Sequence, residues 1–222
     1  MSISDKKAST SAPGPISAGR GNLGAIYLFL FLFLFACTNT QHTLSRLPDD
    51  AVILAFGDSI TSGVGAPPGE SYPEILQGHI KRKVIKSGIP GETSGEGLVR
   101  LPGELATHRP KLVLLCLGGN DLLRRMDLEK TAGNVSRMVL MIRNSGAEVV
   151  IIGVPKPGLV LSTARLYKTI SDDMRVPLEG SLLADILGDS KLKADAIHAN
   201  AEGYRFLAQG IASFLRKSGA VQ

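Results

Sequence analysis

The sequence predicts an α/β fold, a three-layer α/β/α sandwich built on a parallel five-stranded sheet. Three observations carry that expectation. Short, continuous apolar runs recur from residue 51 onward, a pattern that suits strands covered on both faces. Stretches with helical spacing separate them, and such alternation marks a layered α/β domain. The first and third runs stop at Gly-Asp and Gly-Gly turns, at the carboxyl ends of strands where sheets of this kind gather functional groups.

The chain opens with 22 polar residues rich in Ser, Gly and Pro, carrying Lys6, Lys7 and Arg20 against Asp5. Residues 23–36, LGAIYLFLFLFLFA, have no charge and alternate Leu with Phe. They fall short of the roughly 20 residues that cross a bilayer, but after a basic flank they suit the h-region of a secretion signal. Cleavage of the ordinary kind favours small residues at both flanking positions, and Leu34 in Leu34-Phe35-Ala36-Cys37 does not fit. The stretch instead resembles the lipobox of bacterial lipoproteins. That resemblance implies a signal peptide over 1–36, a lipid on Cys37 and, from Thr38, outer-membrane sorting in a Gram-negative host. An uncleaved membrane anchor is the alternative; either way the domain is exported, periplasmic or membrane-anchored.

Residues 37–50 read as a polar tether, 51–217 as the domain and 218–222 as a tail. Within the domain, strands are expected at 51–56 (AVILAF), 83–86 (KVIK), 111–117 (KLVLLCL), 148–153 (EVVIIG) and, briefly, near Val176-Pro177-Leu178. Helices are expected at 72–82, 95–107, 128–145, 159–174 and 201–217. Pro102 should break or kink the second, and Gly146 should stop the third.

Composition is that of an ordinary globular chain, 44% hydrophobic and 20% charged. Residues 1–36 hold three basic residues and one acidic one, so their removal lowers the formal charge from +5 to +3. No basic stripe interleaves with aromatics, which argues against a nucleic-acid partner. Cys116 lies inside an apolar run, and with Cys37 processed no intrachain disulfide is available. Walker A spacing, a dinucleotide fingerprint, G-x-S-x-G, H-E-x-x-H and paired C-x-x-C are all missing, so no cofactor or metal is expected.

The chemistry-bearing residues follow the strands. Ser59 stands in GDSIT just past the first, either as a nucleophile awaiting a base or as the cap of a helix. His198 lies three residues after Asp195 in KADAIHANAEGY. A turn at that spacing lets the carboxylate fix the imidazole tautomer, or the pair simply caps the next helix. LCLGGND ends the third strand with Asn120, and SGIPGETSGEG supplies Gly-rich backbone after the second. LCLGGND could donate to an oxyanion or be a plain turn, and SGIPGETSGEG could donate likewise or cradle a phosphate.

GDSIT, GETS, GGND and D-x-x-H, in that order across residues 51–205, resemble the GDSL or SGNH hydrolase family. The likeness is greatest to its periplasmic thioesterase I/lysophospholipase L1/arylesterase branch. The resemblance implies Ser59 as nucleophile, His198 and Asp195 as its triad partners, and the Ser59 N–H, Gly91 and Asn120 as oxyanion donors. Ala199 stands where the family usually has proline, which loosens the turn holding His198. The activity implied is cofactor-free hydrolysis of acyl esters or thioesters, small-molecule substrates; the sequence does not fix the oligomeric state, and a monomer is expected. Carbohydrate O-acetyl ester cleavage is the alternative, and a ligand-binding lipoprotein without catalysis a second. Leu122 and Leu123 after GGND, with Pro155 and Leu159 after the fourth strand, offer aliphatic surface for an acyl chain. The chain has no Trp to stack on sugars, and Arg124-Arg125 read as a solvated loop.

Overall fold

The computed structural model describes Ala12, Gly14 and residues 42–222 apart from Leu159. The expected signal segment, but for those two positions, and Cys37 lie outside that description. In chain order the strands are β1 (Val52–Gly57), β2 (Lys83–Gly88), β3 (Leu112–Cys116), β4 (Glu148–Ile152), β5 (Pro155–Lys156), β6 (Ser162–Thr163) and β7 (Leu178–Glu179). The helices are α1 (Ser59–Ser62), α2 (Tyr72–Ile80), α3 (Ser94–His108), α4 (Gly119–Leu123), α5 (Leu128–Asn144), α6 (Arg165–Met174), α7 (Leu182–Gly188) and α8 (Ala201–Lys217).

Five strands form one parallel sheet in the order β2-β1-β3-β4-β7. Strand residues alternate faces, and β1 shows both. Ile53 and Ala55 pack with Tyr72, Leu76 and Ile80 of α2 and with Leu207 and Ile211 of α8. Leu54 and Phe56 pack with Leu101 of α3, Met138 of α5 and Tyr167 of α6. The three layers expected from the apolar runs are therefore present. The chain passes from β1 to β2 on one side, then crosses back over β1 to β3 on the other, so a crevice opens at the carboxyl ends of β1 and β3.

Several boundaries differ from expectation, each for a local reason. Helix α3 runs unbroken through Pro102, whose ring lies on the exposed face of the helix. Helix α6 begins only at Arg165 because residues 155–163 are spent on an antiparallel hairpin, Pro155 opposite Thr163 and Lys156 opposite Ser162. The fifth strand of the sheet starts two residues later than expected, at Leu178–Glu179, with the Pro177 carbonyl accepting from Ile151 N–H at 3.0 Å.

The polar stretch before β1 is not a free tether. Leu44 and Leu47 are buried, and their N–H groups donate to the carbonyls of Ser218 and Ala220 at 2.9 and 2.8 Å. Ser45 N–H donates to Glu148 at the start of β4, and Arg82 binds the Pro48 carbonyl and Asp49 just before β2. The segment thus straps the amino ends of the strands. The expected tail is packed as well, with Ala220 and Val221 buried. Leu47→Ala should lower the unfolding free energy by about 2 kcal/mol or more, read as a reduced urea midpoint at unchanged slope. An unchanged midpoint would mean that the strap contributes nothing.

Candidate active site

The crevice is built from the end of β1. A β-carbon on Gly57 would lie 2.2 Å from the Cys116 carbonyl oxygen and 2.3 Å from Thr61 Oγ1, so only glycine lets β1 close on β3 and turn at once into α1. Asp58 caps that helix, its Oδ1 accepting from Ile60 N–H at 3.1 Å. Because Asp58 makes the cap, the Ser59 hydroxyl is released from that duty.

It meets His198 instead. Ser59 Oγ lies 3.0 Å from His198 Nε2, and His198 Nδ1 lies 2.7 Å from Asp195 Oδ2. The other oxygen of Asp195 accepts from the N–H groups of Ile197 and His198, both at 2.8 Å. One carboxylate therefore fixes both the ring and the loop that carries it. Its pKa is held below the ordinary aspartate value, first by the His198 hydrogen bond and then by the Ile197 N–H. Ala199 does not leave the loop slack. Ala194 N–H donates to the His198 carbonyl and Asn200 N–H to that of Leu192, while Asn200 caps α8 through Gly203 N–H.

Opposite stands the loop after β2. Gly91 has φ +81°, a conformation that glycine adopts at little cost. Its carbonyl accepts from Arg124 Nη2 at 2.9 Å. Asn120, in the first turn of α4, donates from Nδ2 to the Glu92 carbonyl at 2.9 Å and more weakly to Asp58 Oδ2 at 3.4 Å. The next residue, Asp121, is buried and accepts from both N–H and Oγ of Ser94. Consecutive side chains of α4 thus clamp the 91–94 loop.

Four residues of this assembly carried no expectation of a role in the site. Asp121 is one; Glu92 and Arg100 are a second and third, joined by two hydrogen bonds of 2.7 and 2.6 Å. Arg100 also stacks over Phe56 at 4.0 Å from the ring centre and reaches Ser87. Glu92 belongs to the GETS motif, and Arg100 follows it by eight residues, about two helical turns; that spacing was the available signal. The fourth is Asp58, 3% exposed. Burial pushes its pKa up to about 7, with Ile60 N–H and His198 pulling down and Glu92 pushing up. A folded-state value above the ordinary 3.8 favours folding below pH 3.8 and loses that advantage as pH rises through 7, on the order of 4 kcal/mol.

Beside Ser59 lies a cavity of about 280 Å³, walled by Leu123, Val154, Pro155, Leu161, Leu187 and Ile197. Leu123 and Pro155 line it as expected. Leu122 does not; neighbouring helix positions point apart, and it packs with the core on the α5 side. Leu159 is outside the described residues, while Leu161 follows it in the same apolar run, and Leu187 and Ile197 come from a helix and a loop that no apolar run announced. Arg124 is engaged with Gly91 rather than free in a loop. Among the described residues, no three His, Cys, Asp or Glu side chains are grouped to hold a metal.

The arrangement matches known proteins. The model of a GDSL-like lipase/acylhydrolase family fits residues 55–206. Over 176 residues the chain is 31% identical to an arylesterase of Vibrio mimicus, covering 74% of this chain and 88% of that protein. It is 28% identical over 172 residues to thioesterase 1/protease 1/lysophospholipase L1 of Escherichia coli, covering 74% and 83%. The structure superposes on the psychrotrophic esterase EstA from Pseudoalteromonas sp. with a TM-score of 0.68 at 26% identity, covering 76% of this chain and 98% of EstA. This chain belongs to the GDSL-like lipase/acylhydrolase family.

Proposed function

We propose that the protein is a serine hydrolase that cleaves short- to medium-chain acyl esters and thioesters through an acyl-enzyme on Ser59. The observation that carries the reading is the Ser59–His198–Asp195 chain, at 3.0 and 2.7 Å, beside an apolar cavity. His198 Nε2 takes the proton as Ser59 Oγ attacks the acyl carbon, and Asp195 stabilises the imidazolium. The tetrahedral oxyanion is met by the N–H groups of Ser59 and Gly91 and by Asn120 Nδ2. His198 then returns the proton to the departing alcohol or thiol. In the second half-reaction it activates the water that frees the acid and restores Ser59.

The cavity supports the chain-length reading. At about 280 Å³ it lies at the small end of ligand pockets, so it suits chains beyond acetyl and short of palmitoyl. Each buried methylene adds about 0.8 kcal/mol until the space is filled. For the N-terminus, the lipobox likeness supports export, lipidation of Cys37 and anchoring in the outer membrane.

Ser59→Ala and His198→Ala should each reduce turnover to a small residue, with the double variant scarcely worse, because the pair acts as one unit. Asp195→Asn should fold normally and lose up to about 10⁴-fold in kcat; losses that multiply would contradict the shared mechanism. Across p-nitrophenyl esters from acetyl to palmitoyl, kcat/KM should peak at medium chains, and Leu161→Trp should move the peak shorter. Strict preference for acetyl groups on a polysaccharide such as acetylated xylan would replace the acyl-chain reading by the carbohydrate one. Intact-mass measurement of the membrane-extracted protein should show a chain starting at lipid-modified Cys37, and a retained 1–36 segment would refute lipidation.

A further inference from the structure

We propose that Asp58 is a positioning residue for the oxyanion site, its carboxylate aiming the Asn120 amide across the crevice between β1 and β3. The inference rests on the reading of Asn120 as an oxyanion donor and goes beyond it. An asparagine side chain can present either its NH₂ or its oxygen to a cavity, and the two orientations differ only by rotation of the amide. With Asp58 ionised, both neighbours are acceptors. The Glu92 carbonyl takes one N–H at 2.9 Å, and Asp58 Oδ2 faces the same nitrogen at 3.4 Å. A flipped amide would set its oxygen against two other oxygens, so nitrogen is held toward the crevice.

The two contacts divide the work. The short one fixes the plane of the amide. The long one lies beyond the ordinary 2.7–3.2 Å range for N–H···O, so it is weak enough to be surrendered when an oxyanion forms beside it. Asp58 itself has little freedom. It is 3% exposed, and its Oδ1 is committed to Ile60 N–H. Gly119 leaves room for the other oxygen, since a β-carbon there would lie 3.3 Å from Oδ2. The residue beside the nucleophile therefore fixes the cap of α1 with one oxygen and the aim of Asn120 with the other.

Two substitutions separate these duties. Asp58→Ser retains a helix-capping oxygen but is too short to reach Asn120. Asp58→Asn retains length and cap while turning an NH₂ against the Asn120 NH₂. Both variants should lose between a few-fold and about a hundredfold in kcat, the span of coupling between contacting residues, with KM little changed. Asn120→Ala alone should lose about 10²–10³ in kcat. Adding either Asp58 substitution to Asn120→Ala should cost no more than about twofold further, because there is no amide left to aim. Thermal unfolding of each variant identifies any that is merely unfolded, and either Asp58 variant suffices for the cycle. Losses that multiply in the double variants, or full kcat in folded Asp58→Ser and Asp58→Asn, would overturn the positioning role. Full kcat in Asn120→Ala would instead remove Asn120 from the oxyanion site, and the role of Asp58 with it.

Discussion

The site depends on how closely β1 approaches β3. Gly57 lies against the Cys116 carbonyl with no room for a β-carbon, and the register pairs these two residues at the ends of their strands. From that point the chain leaves β1 toward Ser59 and leaves β3 toward Gly119 and Asn120. Two short helices, α1 and α4, therefore begin side by side, although 62 residues separate Asp58 from Asn120. A wider turn at the end of β1 would carry Ser59 away from both the loop after β2 and His198, 3.0 Å from its hydroxyl.

On the side of the 91–94 loop the crevice is backed by buried polar groups, among them Asp58, Glu92, Ser94 and Asp121. Glu92 and Arg100 are joined by two hydrogen bonds beneath the 91–94 loop, and among the described residues no buried side-chain nitrogen or oxygen lacks a partner. A buried ion pair of this kind is weak evidence for stability; its effect here is geometric, since it seats the residue whose carbonyl holds Asn120. Asp58 carries a clearer energetic penalty, because burial opposes its ionisation. Strain of this sort concentrates where aim matters more than stability.

The sequence made the layers legible because β1 and β3 are apolar on both faces, and made the triad legible because Ser59, Asp195 and His198 each sit in a short motif. The placement of Gly91 and Asn120 likewise followed from the strands they succeed. Less was readable where the signal was tertiary. Leu44 and Leu47 look like isolated apolar residues in a polar stretch, and only the end of α8 gives them a partner. The β5–β6 hairpin occupies residues whose composition suggested the start of α6. Leu122 and Leu123 are equivalent in sequence, and helical rotation alone decides that one lines the cavity while the other joins the core. Asp58 read as a turn residue because its second contact lies on another strand's helix.

The central claim is that His198 activates Ser59, and covalent labelling tests it most directly. Fluorophosphonate treatment followed by peptide mass mapping should place a single adduct on Ser59, with none in Ser59→Ala and a greatly slowed reaction in His198→Ala. Labelling at another residue, or a His198→Ala protein that reacts at the wild-type rate, would contradict the account.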